Sequence, residues 1–348
     1  IRGFGMHLGA LPPAFAGLED ADATEAASYL QPVALAAGDL IMEQGEEDLT
    51  LAFVVQGSVQ LTDDDVRVGA AAARDMLGEV ELFAQIPRTT TATASAPTHL
   101  LVLAQEHWEE LCERGNPAVY NIERAANRRI SERLRFLNEG IADLTRGTPF
   151  ALHPRGKGLM QSISRLLGGG SKVPSIDGAD FLASSALFGW AHSANPELVR
   201  EIASSFDVER FDAESVLCRQ GESGDKVFMI VEGHVDVVIL LGKDHAETIA
   251  TLGPGHAFGD AALAQNSPRS ASCVCHEEVV AMTMSREKYG ALFAGNDPAG
   301  SIFRQGLLRN LISQLQVTQQ RYVSLAANAQ GRQEDTLRGT PVSSVWRD

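Results

Sequence analysis

The stretch Phe258–Ala271 reads FGDAALAQNSPRSA: a glycine, an acid beside it, a run of small residues, a proline and then Arg269. The same pattern stands upstream. In MLGEVELFAQIPRTTTATA (Met76–Ala94), Gly78 falls on Gly259 and Arg88 on Arg269, and Glu79 precedes Arg88 by the spacing that separates Asp260 from Arg269. The flanks repeat too. LIMEQGEEDLTLAFVVQGSVQL (Leu40–Leu61) aligns with VLCRQGESGDKVFMIVEGHVDV (Val216–Val237), which places Gly45 on Gly221 and Gly57 on Gly233. The register changes once between these blocks, where the second copy holds the polar stretch LLGKDHAETI. An insertion at a hairpin tip leaves a core in register, so the chain reads as one domain duplicated.

Both copies carry short alternating runs such as AFVVQGSVQL, KVFMIVEGHVDVVIL, THLLVLA and EVVAMTM, separated by glycine turns. Such runs predict strands, interrupted by one short helical piece, GEVELFAQ or GDAALAQ. Each copy then passes into helix. The expected fold is mainly β with flanking α: two double-stranded β-helix (jelly-roll-like) barrels, each followed by a long helix.

The glycine–acid–arginine turn has the chemistry of a small anion site. Glycine lets backbone approach a ligand closely, and a helix beginning there points N–H groups at an anion. Arginine adds a charge-assisted, often bidentate contact to phosphate. The neighbouring acid would repel phosphate but accepts hydrogen bonds from a sugar hydroxyl. Phosphate and sugar read within one turn point to a compact nucleotide.

These residues resemble the cyclic-nucleotide-binding domain shared by the catabolite activator protein, regulatory subunits of cyclic-AMP-dependent protein kinase and cyclic-nucleotide-gated channels. The family's cassette runs F-G-E-L-A-L, a few variable residues, then P-R-A/T/S-A. The resemblance implies that Arg269 takes the cyclic phosphate and Asp260 the ribose 2′-hydroxyl. Gly259 and the backbone near Ala262 and Ala271 complete the cradle. In the first copy it implies Arg88 for phosphate and Glu79 for ribose, beside Gly78 and Thr90. The hydroxyls of Thr89 and Ser270 follow the arginines and do not choose a base, so the implied ligand is cyclic AMP or cyclic GMP. Each copy departs from the pattern once. Asp260 is one methylene shorter than the family's glutamate, so its ribose contact is expected to be weaker. Glu81 stands where the family has alanine beside the phosphate; it either repels the ligand or pairs with Arg88 and fills the site itself.

After Asn116-Pro117, apolar residues recur every three or four positions from Val119 to Leu144, a seam for another helix. Leu308, Leu311, Leu315, Tyr322 and Leu325 make a similar stripe, broken by Thr318. The two helices pair either within one chain or with a second copy, and Tyr322 is the candidate aromatic lid of the second site. The expected organisation is a first binding domain over 1–115, a long helix over 116–144 and a basic, glycine-rich linker over 145–177. A second binding domain then spans 178–296, a C-terminal helix 297–327 and a flexible tail 328–348. Within the linker, GLMQSISRLL places Leu159, Met160, Ile163, Leu166 and Leu167 on one face of a short amphipathic helix. Arg128-Arg129-Ile130-Ser131 matches a basophilic kinase pattern, but mid-helix and behind the domain it is not read as an inhibitor segment.

The bulk composition narrows the partners. With 45 acidic against 29 Lys and Arg residues in 348, and a net charge of −16, direct nucleic-acid binding is not expected. No apolar run reaches the length of a membrane span. The four cysteines form no disulfide framework and point to a reducing cytosol, and Cys273 and Cys275 read as buried strand residues rather than half of a metal site. No hydrolase, kinase, cyclase or metal signature is found, so a non-enzyme is expected: a sensor that passes nucleotide binding through its helices to a protein partner or to a second copy. Two alternatives stay open, an assembly module with lapsed nucleotide sites and a regulatory part of a larger enzyme or transporter.

Overall fold

A computed structural model describes residues 12–145, 177–185, 187–192, 195–240, 246–264 and 266–338. The amphipathic linker helix expected around Leu159–Leu167 lies outside these residues. After a 3-10 turn (Pro13–Phe15) and helix α1 (Asp20–Ser28) comes an eight-stranded barrel: β1 Leu30–Leu35, β2 Leu40–Met42, β3 Leu51–Gln56, β4 Ser58–Asp63, β5 Val66–Ala72, β6 Met76–Leu77, β7 Thr91–Ala94 and β8 Thr98–Leu103. Helix α2 (Glu79–Ala84) interrupts it between β6 and β7; α3 (Gln105–Glu113) and the long α4 (Ala118–Thr145) follow. The second half opens with α5 (Gly178–Ser184), α6 (Gly189–His192) and α7 (Pro196–Ser204). Its strands are β9 Asp207–Phe211, β10 Val216–Cys218, β11 Lys226–Glu232, β12 Val235–Leu240, β13 Ala246–Leu252, β14 Ala257–Phe258, β15 Ser272–Cys275 and β16 Val279–Ser285. Helix α8 (Asp260–Ala264) takes the place of α2, and α9 (Arg286–Ala294) and α10 (Pro298–Arg338) close the chain.

The sheet orders are β1-β8-β3-β6 and β2-β7-β4-β5 in the first barrel, and β14-β11-β16-β9 and β10-β15-β12-β13 in the second, with antiparallel pairing throughout. Both are jelly rolls of one topology, the expected fold. Alternation along the strands explains the cores. In β5, Val66 and Val68 are buried either side of exposed Arg67, and Ala71 is buried between exposed Ala70 and Ala72. The alternation shifts at buried Gly69, where the register against β4 changes. Strand β3 is buried almost throughout because it lies mid-sheet.

The helical seams pair within the chain. Leu308, Leu311, Ile312 and Leu315 of α10 join Ile122, Ala126, Ile130 and Leu137 of α4 in the core of the first barrel. Helix α10 continues past the expected end of the C-terminal helix to Arg338, since its last turns are rich in Ala, Gln, Arg and Glu, which propagate helix well. At the crossing sits a buried polar knot. Arg304 Nε donates to Glu123 Oε2 at 2.8 Å with both residues fully buried, and Ser301 Oγ and Gln305 Nε2 donate to Glu123 Oε1 at 2.6 and 2.8 Å. Arg304 also donates to the carbonyls of Phe293 and Gly295 and lies over the Tyr120 ring.

Candidate functional site

In each barrel the turn between the sixth strand and the short helix is held open by a left-handed glycine, Gly78 (φ +87°) or Gly259 (φ +88°). Here the residue type is dictated by space as well as by φ. A Cβ on Gly259 would sit 2.4 Å from Arg269 Nη1, and one on Gly78 would sit 2.6 Å from Arg88 Nη1 and 2.2 Å from the Thr50 carbonyl oxygen. The glycines thus let each guanidinium lie flat against the turn. The two arginines are anchored alike: Arg269 Nη2 donates to the Lys226 carbonyl at 2.6 Å and Arg88 Nη2 to the Thr50 carbonyl at 3.0 Å. Arg269 Nη1 also donates to Gly259 O at 2.6 Å.

Beyond that anchor the two sites part. The second opens on a cavity of about 250 Å³, lined by Asp260, Ala262, Arg269, Ser270 and Ala271 together with Val237 and Leu252. Asp260 is 3% exposed, and its Oδ2 has no hydrogen-bond partner among the described residues. Burial pushes its pKa up to about 6, against the pull of the backbone N–H groups of Asp260 and Ala261 and the charge of Arg269. The cavity therefore presents a guanidinium and an unpartnered carboxylate oxygen on one wall and apolar side chains on another. That is a fit for a molecule with an anionic end, a hydroxyl and a flat apolar body.

The first site is filled. Glu81 Oε1 accepts from Thr89 N at 2.9 Å and Thr89 Oγ1 at 2.8 Å, and its Oε2 lies 3.4 Å from Arg88 Nη1. Asp48 and Thr50 Oγ1 take Arg88 Nη2 from the other side. Glu79 is 2% exposed, 3.6 Å from Arg133 of α4, and burial raises its pKa. Arg133 donates to Gln319 of α10, whose Nε2 donates to Asp63 and reaches the Thr89 carbonyl. Around Gly78, Glu79, Arg88 and Thr90 only about 10 Å³ is left, room for one water. Of the two outcomes open for Glu81, pairing with Arg88 is the one observed. Glu81→Ala strips Thr89 of its acceptor and is expected to cost about 1–3 kcal/mol, measurable by urea unfolding.

Several residues at the second cavity were not expected there from the sequence. Ser131, Leu134, Arg135 and Asn138 reach it from α4, and Gln314 and Thr318 from α10. Ser131 Oγ and Asn138 Oδ1 are buried without partners among the described residues. The helical period gave no signal for them, since Ser131, Arg135 and Asn138 fall beside the apolar stripe of Ile130, Leu134, Leu137 and Ile141, where polar residues are the ordinary expectation. Tyr322 is not among the cavity's lining residues. Its ring packs on Gly140 and faces Phe136 across 6.4 Å, both on α4, because the missing Cβ at Gly140 leaves space for it. Ser131 of the kinase-like pattern is 3% exposed.

Twin jelly rolls, each with a glycine-led turn returning an arginine to its mouth, define a class of small-molecule-binding regulatory barrel. The family model described as "Cyclic nucleotide-binding domain" matches at residues 32–115 and again at 208–296. The chain belongs to this family, as a tandem member. Among curated proteins it is 22% identical to the cGMP-dependent protein kinase egl-4 of Caenorhabditis elegans, over 74% of this chain and 26% of the kinase. It is 31% identical to the cyclic nucleotide-gated potassium channel mll3241 of Mesorhizobium japonicum, over 32% of this chain and 30% of the channel. The chain thus spans between a quarter and a third of the length of these relatives. Similar solved structures include the cAMP-bound regulatory domain of Toxoplasma gondii PKA (17% identity, 83% of this chain and 91% of that one, TM-score 0.31). Another is the Thermus thermophilus catabolite activator protein (26% identity, 42% and 63%, TM-score 0.32). No helix among the described residues is long and apolar enough to cross a membrane.

Proposed function

We propose that the chain is a regulatory sensor whose second barrel binds cyclic AMP or cyclic GMP, with Arg269 on the phosphate and Asp260 on the ribose. The second barrel signals through α10 and α4 to a protein partner. The observation that carries this reading is the 250 Å³ cavity holding Arg269 and the unpartnered Asp260 oxygen at one end and helix residues at the other. A ligand there touches the barrel and both long helices at once. Binding that favours one arrangement of α10 over another shifts its population by that difference in affinity, which is how a small molecule becomes a signal. The first barrel plays a scaffold role, its Arg88 engaged by Glu81 and Asp48, and this supports reading it as the lapsed copy.

A thermal-shift panel of cyclic AMP, cyclic GMP and linear AMP tests the reading on the full chain. A cyclic nucleotide at a hundredfold excess over Kd is expected to stabilise by about 2.7 kcal/mol. Arg269→Ala should weaken binding by about tenfold to a hundredfold, because it removes charge-assisted hydrogen bonds of about 1.5–3 kcal/mol. A shift of unchanged size in the Arg88→Ala/Arg269→Ala double variant would place the ligand elsewhere.

A further inference from the structure

The floor of the second cavity carries a pair of thiols. On β10 and β15, Cys218 and Cys273 are direct antiparallel partners, and Val237 of β12 faces Cys273 from its other side. All three line the cavity, so this cross-strand row faces the space proposed above for the nucleotide. Opposed antiparallel residues lie about 4.5–5.5 Å apart at Cα, inside the range of about 4.4–6.8 Å that a disulfide bridges.

We propose that Cys218 and Cys273 form a reversible disulfide across the floor of the second cavity, a modification site whose accessibility is set by the nucleotide. The cross-link itself stands on the strand register and the cavity; its coupling to nucleotide rests on the function proposed above.

The surroundings divide the labour between the two sulfurs. The neighbouring Cys273 thiol lowers the Cys218 pKa and the Arg269 charge adds to this, against the opposing effect of burial. Cys218 is half-buried and reachable from the cavity, whereas Cys273 is 5% exposed. Burial pushes Cys275 up to about 12, so it stays a thiol, and Cys112 is exposed on α3, the helix that follows the first barrel. The oxidant class is a hydroperoxide. The Cys218 thiolate attacks one peroxide oxygen, the O–O bond breaks, and the departing hydroxide takes a proton and leaves as water. The resulting sulfenic acid is attacked by the Cys273 sulfur; the S–O bond breaks and a second water leaves with the Cys273 proton. Two thiols are oxidised by two electrons and one hydrogen peroxide is reduced to two waters. Cys218 Sγ contacts the Ala271 carbonyl at 3.9 Å, so the cross-link pulls on the strand that follows Arg269.

The test uses the full chain treated with hydrogen peroxide, then denatured, alkylated with N-ethylmaleimide and mapped by peptide mass. The expected product joins the Cys218 and Cys273 peptides with the loss of two hydrogens, leaves Cys112 and Cys275 alkylated, and reverts with dithiothreitol. Cys218→Ser should abolish the cross-link and leave Cys273 alkylatable. Recovery of both thiols fully alkylated, or a link to another cysteine, overturns the proposal, and mapping the unmutated chain decides this even if the variant fails to fold. In a parallel arm, cyclic AMP or cyclic GMP at about ten times Kd should slow cross-linking about tenfold, the fraction of protein left unoccupied. An unchanged rate in a sample whose thermal shift reports occupancy overturns the coupling. If neither nucleotide gives a shift, the proposed function falls, while the nucleotide-free arm still decides the thiol pair.

Discussion

Arg304→Ala is expected to lower the unfolding free energy by about 3–5 kcal/mol, the range for breaking one side of a buried ion pair. The size follows from what is left behind. Glu123 is fully buried on α4, and without Arg304 its carboxylate keeps only the hydrogen bonds from Ser301 and Gln305. The carbonyls of Phe293 and Gly295 lose a donor in the same step. Burial already raises the Glu123 pKa, so the orphaned acid would take up a proton rather than stay charged. Urea denaturation of the variant reads the loss directly. Replacing both partners, Glu123→Gln with Arg304→Met, should recover a large part of it, because the cost lies in the unpaired charge more than in the missing bridge. Equal stability of Arg304→Ala and the parent would mean that the helix crossing does not depend on this pair.

The second large effect belongs to Asp260 and depends on pH. Its folded-state pKa of about 6 lies above the 3.8 of a free aspartate, so the folded chain binds the proton more tightly than the unfolded one. Stability is therefore greatest below about pH 4 as far as this group is concerned. It is lost as pH rises toward 6, to a total of about 3 kcal/mol above that point. Asp260→Asn removes the charge and should be more stable than the parent by about that amount at pH 7, with the difference vanishing near pH 4. Parallel stability curves for the two proteins from pH 4 to 8 would show that the carboxylate is not desolvated as described. The nucleotide proposed above should reverse the trend. A sugar hydroxyl brought to Oδ2 donates to the charged form, lowers the pKa and expels a proton, so nucleotide affinity should climb as pH rises through 6.

How much of this was written in the sequence differs from feature to feature. The barrels were legible because their glycines recur at matched places and their strands alternate, and both signals are local. Gly78 and Gly259 could be read as close-approach positions, and the structure places a guanidinium against each. The engagement of Arg88 by Glu81 was half legible: a carboxylate beside an arginine allows pairing or repulsion, and the spacing alone does not choose. Asp48, which takes the other side of Arg88, lies on the loop before β3 and carried no signal of its own. The roof of the second cavity was the least legible part. Which face of α4 meets the second barrel is a tertiary matter, so Ser131 and Asn138 looked like ordinary polar residues beside the seam, although they line one cavity with residues of β13 and α8. For Tyr322 the stripe was correct and the destination was not, since a glycine on the opposing helix offered the ring a closer berth.

Helices α4 and α10 each serve the other half of the molecule. α4 lines the second cavity, and Gln319 of α10 helps close the first site. Two identical subunits trading helices in this way would be bound by symmetry, so that any change to one mouth would appear in both. Written into a single polypeptide, the exchange is released from that constraint. Each mouth can therefore change without its counterpart, and neither half, cut from its sibling, would retain a complete ceiling.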